Sequence, residues 1–463
     1  MKSRMSVTVV LLVAVLSMFL LTSTLSMGAA PALAGEIVFG GNWVELPFLM
    51  DLYREYEKLH PGVKIKTQVV PGPPELWVWL SAQLAARTTP TLITMQPETI
   101  STVKKIVQPL DSYYRKKNPY TGNIWKDDID PNILRICSLG TRTQLAYPTV
   151  LLTTRLVYNK NNLTKLGINV SPQWTFSDLI TAMTKLKNAG FIAYALGGMY
   201  DLQVCWHTWA FVEAFVIRNK LKQLDVLPKD GTLTTEEYAR GFKKGFLDPV
   251  GDPAWADAFK HIKQLLSFHQ KGAIGDWGYD QARMTGRTGF MWEGSWVTAT
   301  LLNQLKEAGN PWEVGTLPFG TFPPIVEGGK KIELPSLNNT LGVILTKDSS
   351  ENQKKIAVDF LMWLHSEKPQ KVLGAVFGMS VNKNVKVEGE IPRLFAPVPG
   401  ERPVVYAMAL VMDAQVAQDQ TVAWQSWFLE KTSDAELLNS LKTIFLNGAN
   451  RTIASEKFDT SKW

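Results

Sequence analysis

The chain has 463 residues, of which 45% are hydrophobic and 20% charged, with a formal net charge of +7. That length is too great for one compact core and points to two lobes or domains, and the balance of residue types excludes a disordered or fibrous chain. The basic residues are dispersed, with no long basic block and no arginine stripe, which argues against a nucleic-acid-binding surface.

Lys2 and Arg4 precede an uncharged, mostly apolar run from Val9 to Leu21, and then comes Ala29-Ala30-Pro31-Ala32-Leu33-Ala34. Small residues at Ala32 and Ala34 form an A-x-A cleavage site before Gly35, so residues 1–34 are predicted to be a Sec-type signal peptide. The apolar run is shorter than the roughly 17 residues of a membrane span, and no cysteine near the cut would carry a lipid. The mature chain is therefore expected in the periplasm or the medium, with a formal charge of +5. Cys137 and Cys205 are the only cysteines and do not make a disulfide scaffold; free, buried thiols are expected.

In chain order, Glu36–Phe39 reads as a first strand ending in Gly40-Gly41-Asn42-Trp43. Leu49, Leu52, Tyr53, Tyr56 and Leu59 then line one face of a helix that Pro61-Gly62 stops. Val63, Ile65, Thr67 and Val69 alternate as a second strand, Glu75–Arg87 is helical, and Thr91–Met95 is a third strand. This alternation implies a parallel sheet covered by helices, whose ligands bind beyond the carboxyl ends of the strands. The loops at Gly41–Glu45 and Gln96–Glu98 are thus a candidate binding rim. Farther on, Leu151–Tyr158 reads as a strand, Thr175 precedes a helix, and Phe290–Trp296 reads as a buried strand with a glycine turn. Val314–Pro318 and Leu341–Leu345 read as strands, Pro323–Gly329 as an exposed loop, and Lys354–His365 as a helix.

Several stretches in this order resemble a known family: His60-Pro61-Gly62-Val63-Lys64-Ile65, Val107-Gln108-Pro109-Leu110-Asp111, Leu145-Ala146-Tyr147-Pro148 followed by Tyr158-Asn159-Lys160, Trp174–Leu179, Met291–Trp296, and Ala357–His365. Together they resemble the family 1 extracellular solute-binding proteins, the carbohydrate group that includes the maltose-binding protein. The segment before the third strand, Arg87-Thr88-Thr89-Pro90-Thr91, lacks the family's usual aspartate, and Gly378-Met379-Ser380-Val381 replaces its Gly-x-x-Pro-Val.

The resemblance implies an α/β, two-lobed periplasmic-binding-protein type II fold with three crossing segments at a hinge, near residues 148–154, 335–340 and 397–403. Lobe one would hold residues 36–148 and 340–398, and lobe two 152–336 and 403–463. It further implies a monomeric receptor that binds a carbohydrate between its lobes and delivers it to the membrane permease subunits of an ABC importer. Sugars present hydroxyls around a ring edge and C–H groups on its faces, so the site needs aromatic platforms and polar side chains. Trp296, after Gly294-Ser295, matches the family's Gly-x-Trp position, from which its ring could project into the cleft, and Trp292 and Glu293 flank the same turn. Asn42, Trp43 and Glu45 after the first strand, and Gln96 and Glu98 after the third, sit where the family places polar contacts. Tyr200, Asp201, Trp206 and His207 form another site-like stretch, and Trp424 lies where the family can supply a late aromatic.

No G-x-S-x-G, P-loop, dinucleotide fingerprint or H-E-x-x-H is present, and His261 and His269 lack a third partner, so no catalytic residue, metal or cofactor is predicted. Two other functions fit the same features: a secreted glycoside hydrolase using a pair among Glu45, Glu98 and Glu293, and a receptor of the same fold for a peptide or polyamine.

Overall fold

The computed structural model describes residues 33–70, 75–95, 106–138, 143–197, 201–227, 229, 233–273, 286–309, 311–398, 403–405 and 414–463. The signal-peptide assignment therefore falls almost wholly outside the described residues. The strands are β1 (Ala34–Gly41), β2 (Gly62–Val69), β3 (Leu92–Met95), β4 (Tyr147–Asn159), β5 (Ile192–Ala195), β6 (Thr288–Gly294), β7 (Val314–Thr316), β8 (Ile325–Glu327), β9 (Lys330–Ile332), β10 (Ser336–Leu345) and β11 (Pro403–Val405).

The first lobe follows from the alternation read in the sequence. β1 pairs in parallel with β2 and β3. The intervening helix Pro47–Leu59 buries Leu52, Tyr53 and Tyr56 on its inner face. Tyr56 also donates its hydroxyl hydrogen to Asp359, 2.7 Å away on the helix Glu351–Leu364, which fixes two covering helices to each other. These rings lie with Ile37, Phe39, Tyr147, Phe360 and Trp363 in one apolar cluster. Full burial of each such side chain contributes about 1.5–3 kcal/mol before conformational entropy is set against it.

The second lobe has its own cluster, running through Leu156, Leu179, Trp206, Trp255, Trp292, Trp424 and Phe445. Its helix Phe176–Asn188 starts with a reciprocal cap: Asp178 accepts from the Thr175 N–H at 2.7 Å, and the Thr175 hydroxyl accepts from the Asp178 N–H at 3.4 Å. That cap satisfies two amides the first helical turn would leave unpaired.

The lobes are joined by β4. Its first half, Tyr147–Thr153, pairs antiparallel with β10, and its second half, Thr154–Asn159, pairs with β6 and β7. The sheet order is β2-β1-β3-β10-β4-β6-β5, with β11 beside β10 and β7 beside β4. The ladder changes partner between Thr153 and Thr154. β10 and β11 pair from Ser336 opposite Pro403.

One sequence reading needs correction. Pro323–Gly329 is not simply an exposed loop, because residues 325–332 form the β8–β9 hairpin with Ile325 buried and Glu327 meeting Lys260 and His261 at 3.2 Å. Ile391, Leu394 and Phe395 pack with Val157, Met291 and Leu301. Val157 and Met291 alternate along β4 and β6 with Leu156, Phe290 and Trp292 of the large cluster, so these side chains cover the opposite face of that part of the sheet. Cys137 is buried beside Leu80, Ile93 and Ile344. The backbone of Cys205 belongs to the helix Asp201–Val212 of the second lobe, and its side chain lies outside the described residues.

Candidate ligand site between the lobes

β6 runs directly into the helix Ser295–Glu307, with Gly294 as the residue at the junction. What reads in the sequence as a turn is therefore the first turn of a helix. Ser295 is buried and donates its hydroxyl hydrogen to the carbonyl of Phe377, across the seam in the first lobe. Trp296 is half-buried and packs against both apolar clusters, one from each lobe. Its ring folds over Gly294 so closely that a Cβ there would lie 2.3 Å from ring carbons. Glycine is what lets the indole lie in that position.

From the first lobe, Trp43 stacks on Phe377 with centroids 5.6 Å apart and planes 10° from parallel, and Phe48 meets the same ring edge-on. Gly378 follows with φ +152°, and a Cβ there would come within 2.6 Å of the Leu151 carbonyl. This close approach lets Met379 and Leu151 exchange backbone hydrogen bonds of 2.9 and 3.1 Å beside the crossing. Phe377 was not singled out in the sequence. The glycine after it was the only available hint of a special position.

The remaining predicted residues divide by burial. Asn42 and Glu45 are exposed beyond β1, and Glu45 accepts from the Thr67 hydroxyl at 2.8 Å. Trp206 is buried, edge-on to Trp296 at 5.8 Å and tilted against Trp292 at the same distance. Trp292 is fully buried among His207, Phe322 and Trp206, and Trp424 is buried and stacked on Phe428 at 5.3 Å. In this arrangement both rings pack the core of the second lobe and present no open face. His207 is likewise buried and engaged at both nitrogens. Burial lowers its pKa to about 4, so it is neutral. Its Nδ1–H donates to the Gln203 carbonyl at 2.6 Å and its Nε2 accepts from the Tyr194 hydroxyl at 2.6 Å. Gln96, Glu98 and Tyr200 lie outside the described residues, and only the backbone of Asp201 lies within them.

Glu293 is 1% exposed, and among the described residues its Oε1 has no hydrogen-bond partner. Burial pushes its pKa up to about 8, with a hydrogen bond from the Gly294 N–H opposing only part of the rise. At neutral pH it is chiefly a protonated carboxyl, able to donate as well as accept. Register places it opposite Arg155 of β4, one residue before the helix that carries Trp296.

Two α/β lobes that share a strand and bring aromatic rings to a common seam define a two-lobed binding-protein architecture. A model of the bacterial extracellular solute-binding protein family matches residues 40–371, and the chain belongs to that family. A search by sequence among curated proteins finds no match. Among solved structures, the chain is similar to a chitin oligosaccharide binding protein, with 18% identity over 90% of this chain and 99% of that one and a TM-score of 0.69. It is similar to the binding protein RafE in complex with raffinose, at 17% identity over 90% and 100% of the chains with a TM-score of 0.66. It is also similar to the GacH receptor of Streptomyces glaucescens, at 18% identity over 90% and 99% with a TM-score of 0.65. These likenesses establish the periplasmic-binding-protein fold. No described helix is long and apolar enough to cross a membrane.

Proposed function

We propose that the protein is an extracytoplasmic receptor that captures a carbohydrate between its lobes and delivers it to the permease of an ABC importer. The observation that carries this reading is the convergence of Trp296 from one lobe and the Trp43–Phe377 stack from the other on one seam. Flat rings facing polar side chains suit the alternating C–H and hydroxyl surfaces of a pyranose. In this reading Trp296 and Trp43 are platforms, and Asn42, Glu45, Gln96, Glu98, Tyr200 and Asp201 supply polar contacts, whereas Glu293, 1% exposed, has no open face for a ligand. The lobes are divided as the resemblance implies, at 36–148 with 340–398 and 152–336 with 403–463. The carbohydrate-binding names of the similar structures support this reading, as does the family's extracellular character.

A thermal-shift screen with chitooligosaccharides, raffinose and maltose tests the reading, because a ligand of the native state raises stability by RT ln(1 + [L]/Kd). No shift with any sugar, together with a shift for a peptide or polyamine, would turn the assignment to a non-sugar ligand. Release of cleaved sugar would turn it to a hydrolase.

Two further results are expected. Sequencing the N-terminus of exported protein should begin at or near Gly35, one residue into β1, so that the strand keeps its pairing with β2 from Val63 onward. Recovery of Met1 would rule out cleavage. Small-angle scattering should show the monomer becoming more compact when the stabilising sugar is added, because closure rotates the lobes about the crossings. An unchanged profile at saturation would contradict the hinge.

A further inference from the structure

The change of partner along β4 leaves a structural problem at the hinge. Three chain segments pass between the lobes, and carbonyls outside the ladders at that point need donors. Arg155, the second residue after the change, is 1% exposed. A buried guanidinium is strongly unfavourable, because it loses its hydration, unless its N–H groups are satisfied. Its Nη1 lies 3.4 Å from the Thr153 hydroxyl and 3.2 Å from the Thr154 carbonyl, both in the first crossing. The same nitrogen lies 2.8 Å from the Gly320 carbonyl and 3.3 Å from the hydroxyl of Ser336, where β10 begins the second crossing. Its Nη2 donates to the Ala396 carbonyl at 3.1 Å, on the approach to the third crossing. One planar group thus touches all three.

We propose that Arg155 is a positioning residue for lobe closure, holding the three crossing segments at one spacing so that the lobes rotate about a single axis instead of splaying. The inference rests on the two-lobe hinge but not on the identity of the ligand. Guanidinium suits the task because its N–H groups point in fixed directions in one plane, so the acceptors must keep their relative positions to remain bonded. An ammonium at the end of a flexible stem imposes no such constraint. An apolar residue would fill the space but leave the Gly320 and Ala396 carbonyls without this donor.

The test is a distance measurement without ligand. Nitroxide labels would be placed at Lys58→Cys in the first lobe and Lys222→Cys in the second, both exposed sites, in a Cys137→Ala, Cys205→Ala background. With Arg155 present, one narrow inter-label distribution is expected. Arg155→Met should broaden it roughly twofold, and Arg155→Lys should give an intermediate width, as expected when a rigid fork is replaced by a flexible donor. A residue that merely stabilises lobe two would lower the denaturation midpoint and leave the distribution narrow. If Arg155→Met does not fold, Arg155→Lys and Ser336→Ala are read in the same way. A wild-type width in the folded variants overturns the proposal, whether or not any sugar is found to bind.

Discussion

Replacing Trp296 with alanine is expected to weaken binding of the stabilising sugar about 30- to 1000-fold, the equivalent of about 2–4 kcal/mol for loss of a buried aromatic anchor. The indole is half-buried at the seam, held over Gly294 and edge-on to Trp206. A sugar laid against it gains dispersion contact and also loses water from neighbouring hydrogen bonds, which strengthens them. Truncation removes both effects. Calorimetric titration beside a denaturant melt separates binding from folding: the variant should remain folded and lose affinity. An unchanged dissociation constant in a folded variant would remove Trp296 as a platform and leave Trp43 as the ring to test. A collapse of stability by about 3–5 kcal/mol, with affinity falling only as folded protein disappears, would assign the ring to packing.

The second large effect concerns Glu293 and pH. The folded protein holds the carboxyl proton up to about pH 8, whereas the ordinary value in the unfolded chain is 4.5. The folded state therefore binds more protons between those limits, and stability falls as pH rises through them. Complete ionisation would cost on the order of 3–5 kcal/mol, less whatever water penetration and relaxation recover. His207 and His365 act in the opposite direction. Burial lowers each from 6.5 to about 4, so their contribution is present above 6.5 and lost as pH falls toward 4. Stability should peak between these two limbs. Glu293→Gln keeps the shape and a donor but cannot ionise, so it should remove the alkaline decline and leave the acid decline in place. Urea midpoints measured from pH 5 to 9 would show this. Superimposable profiles for variant and wild type above pH 7 would mean that the carboxyl ionises there without cost.

The local elements were legible because their periodicities differ. Leu52, Tyr53 and Tyr56 announce a helix, and Val63, Ile65 and Thr67 a strand, before any contact is known. β4 was read in the sequence only from Leu151. In the structure Pro148 lies opposite Gly342, next to an irregularity between Thr340 and Gly342, where a missing N–H is tolerated. Trp292 and Glu293 were both offered as ligand contacts, yet adjacent strand residues point to opposite faces. That rule alone separates the packed indole from the carboxyl opposite Arg155. The role of Arg155 could not be read at all. A lone arginine in an apolar strand looks like an outward-facing position, and two of its acceptors, Gly320 and Ala396, lie 165 and 241 residues away in sequence. The same holds for Phe377, whose importance depends on Trp43 and Ser295 arriving from distant parts of the chain.

The sharing of β4 also bears on how the molecule comes apart. A strand that is the inner member of two ladders cannot detach from one without loosening the end of the other, so the lobes are not independent folding units. Fraying would begin at outlying strands such as β2 or β5, while the amides around Thr153 and Thr154 would exchange with solvent only in the last, global opening. The segment about which the lobes turn would then be the least yielding part of the protein, its motion confined to a rotation of whole lobes about an unbroken ladder.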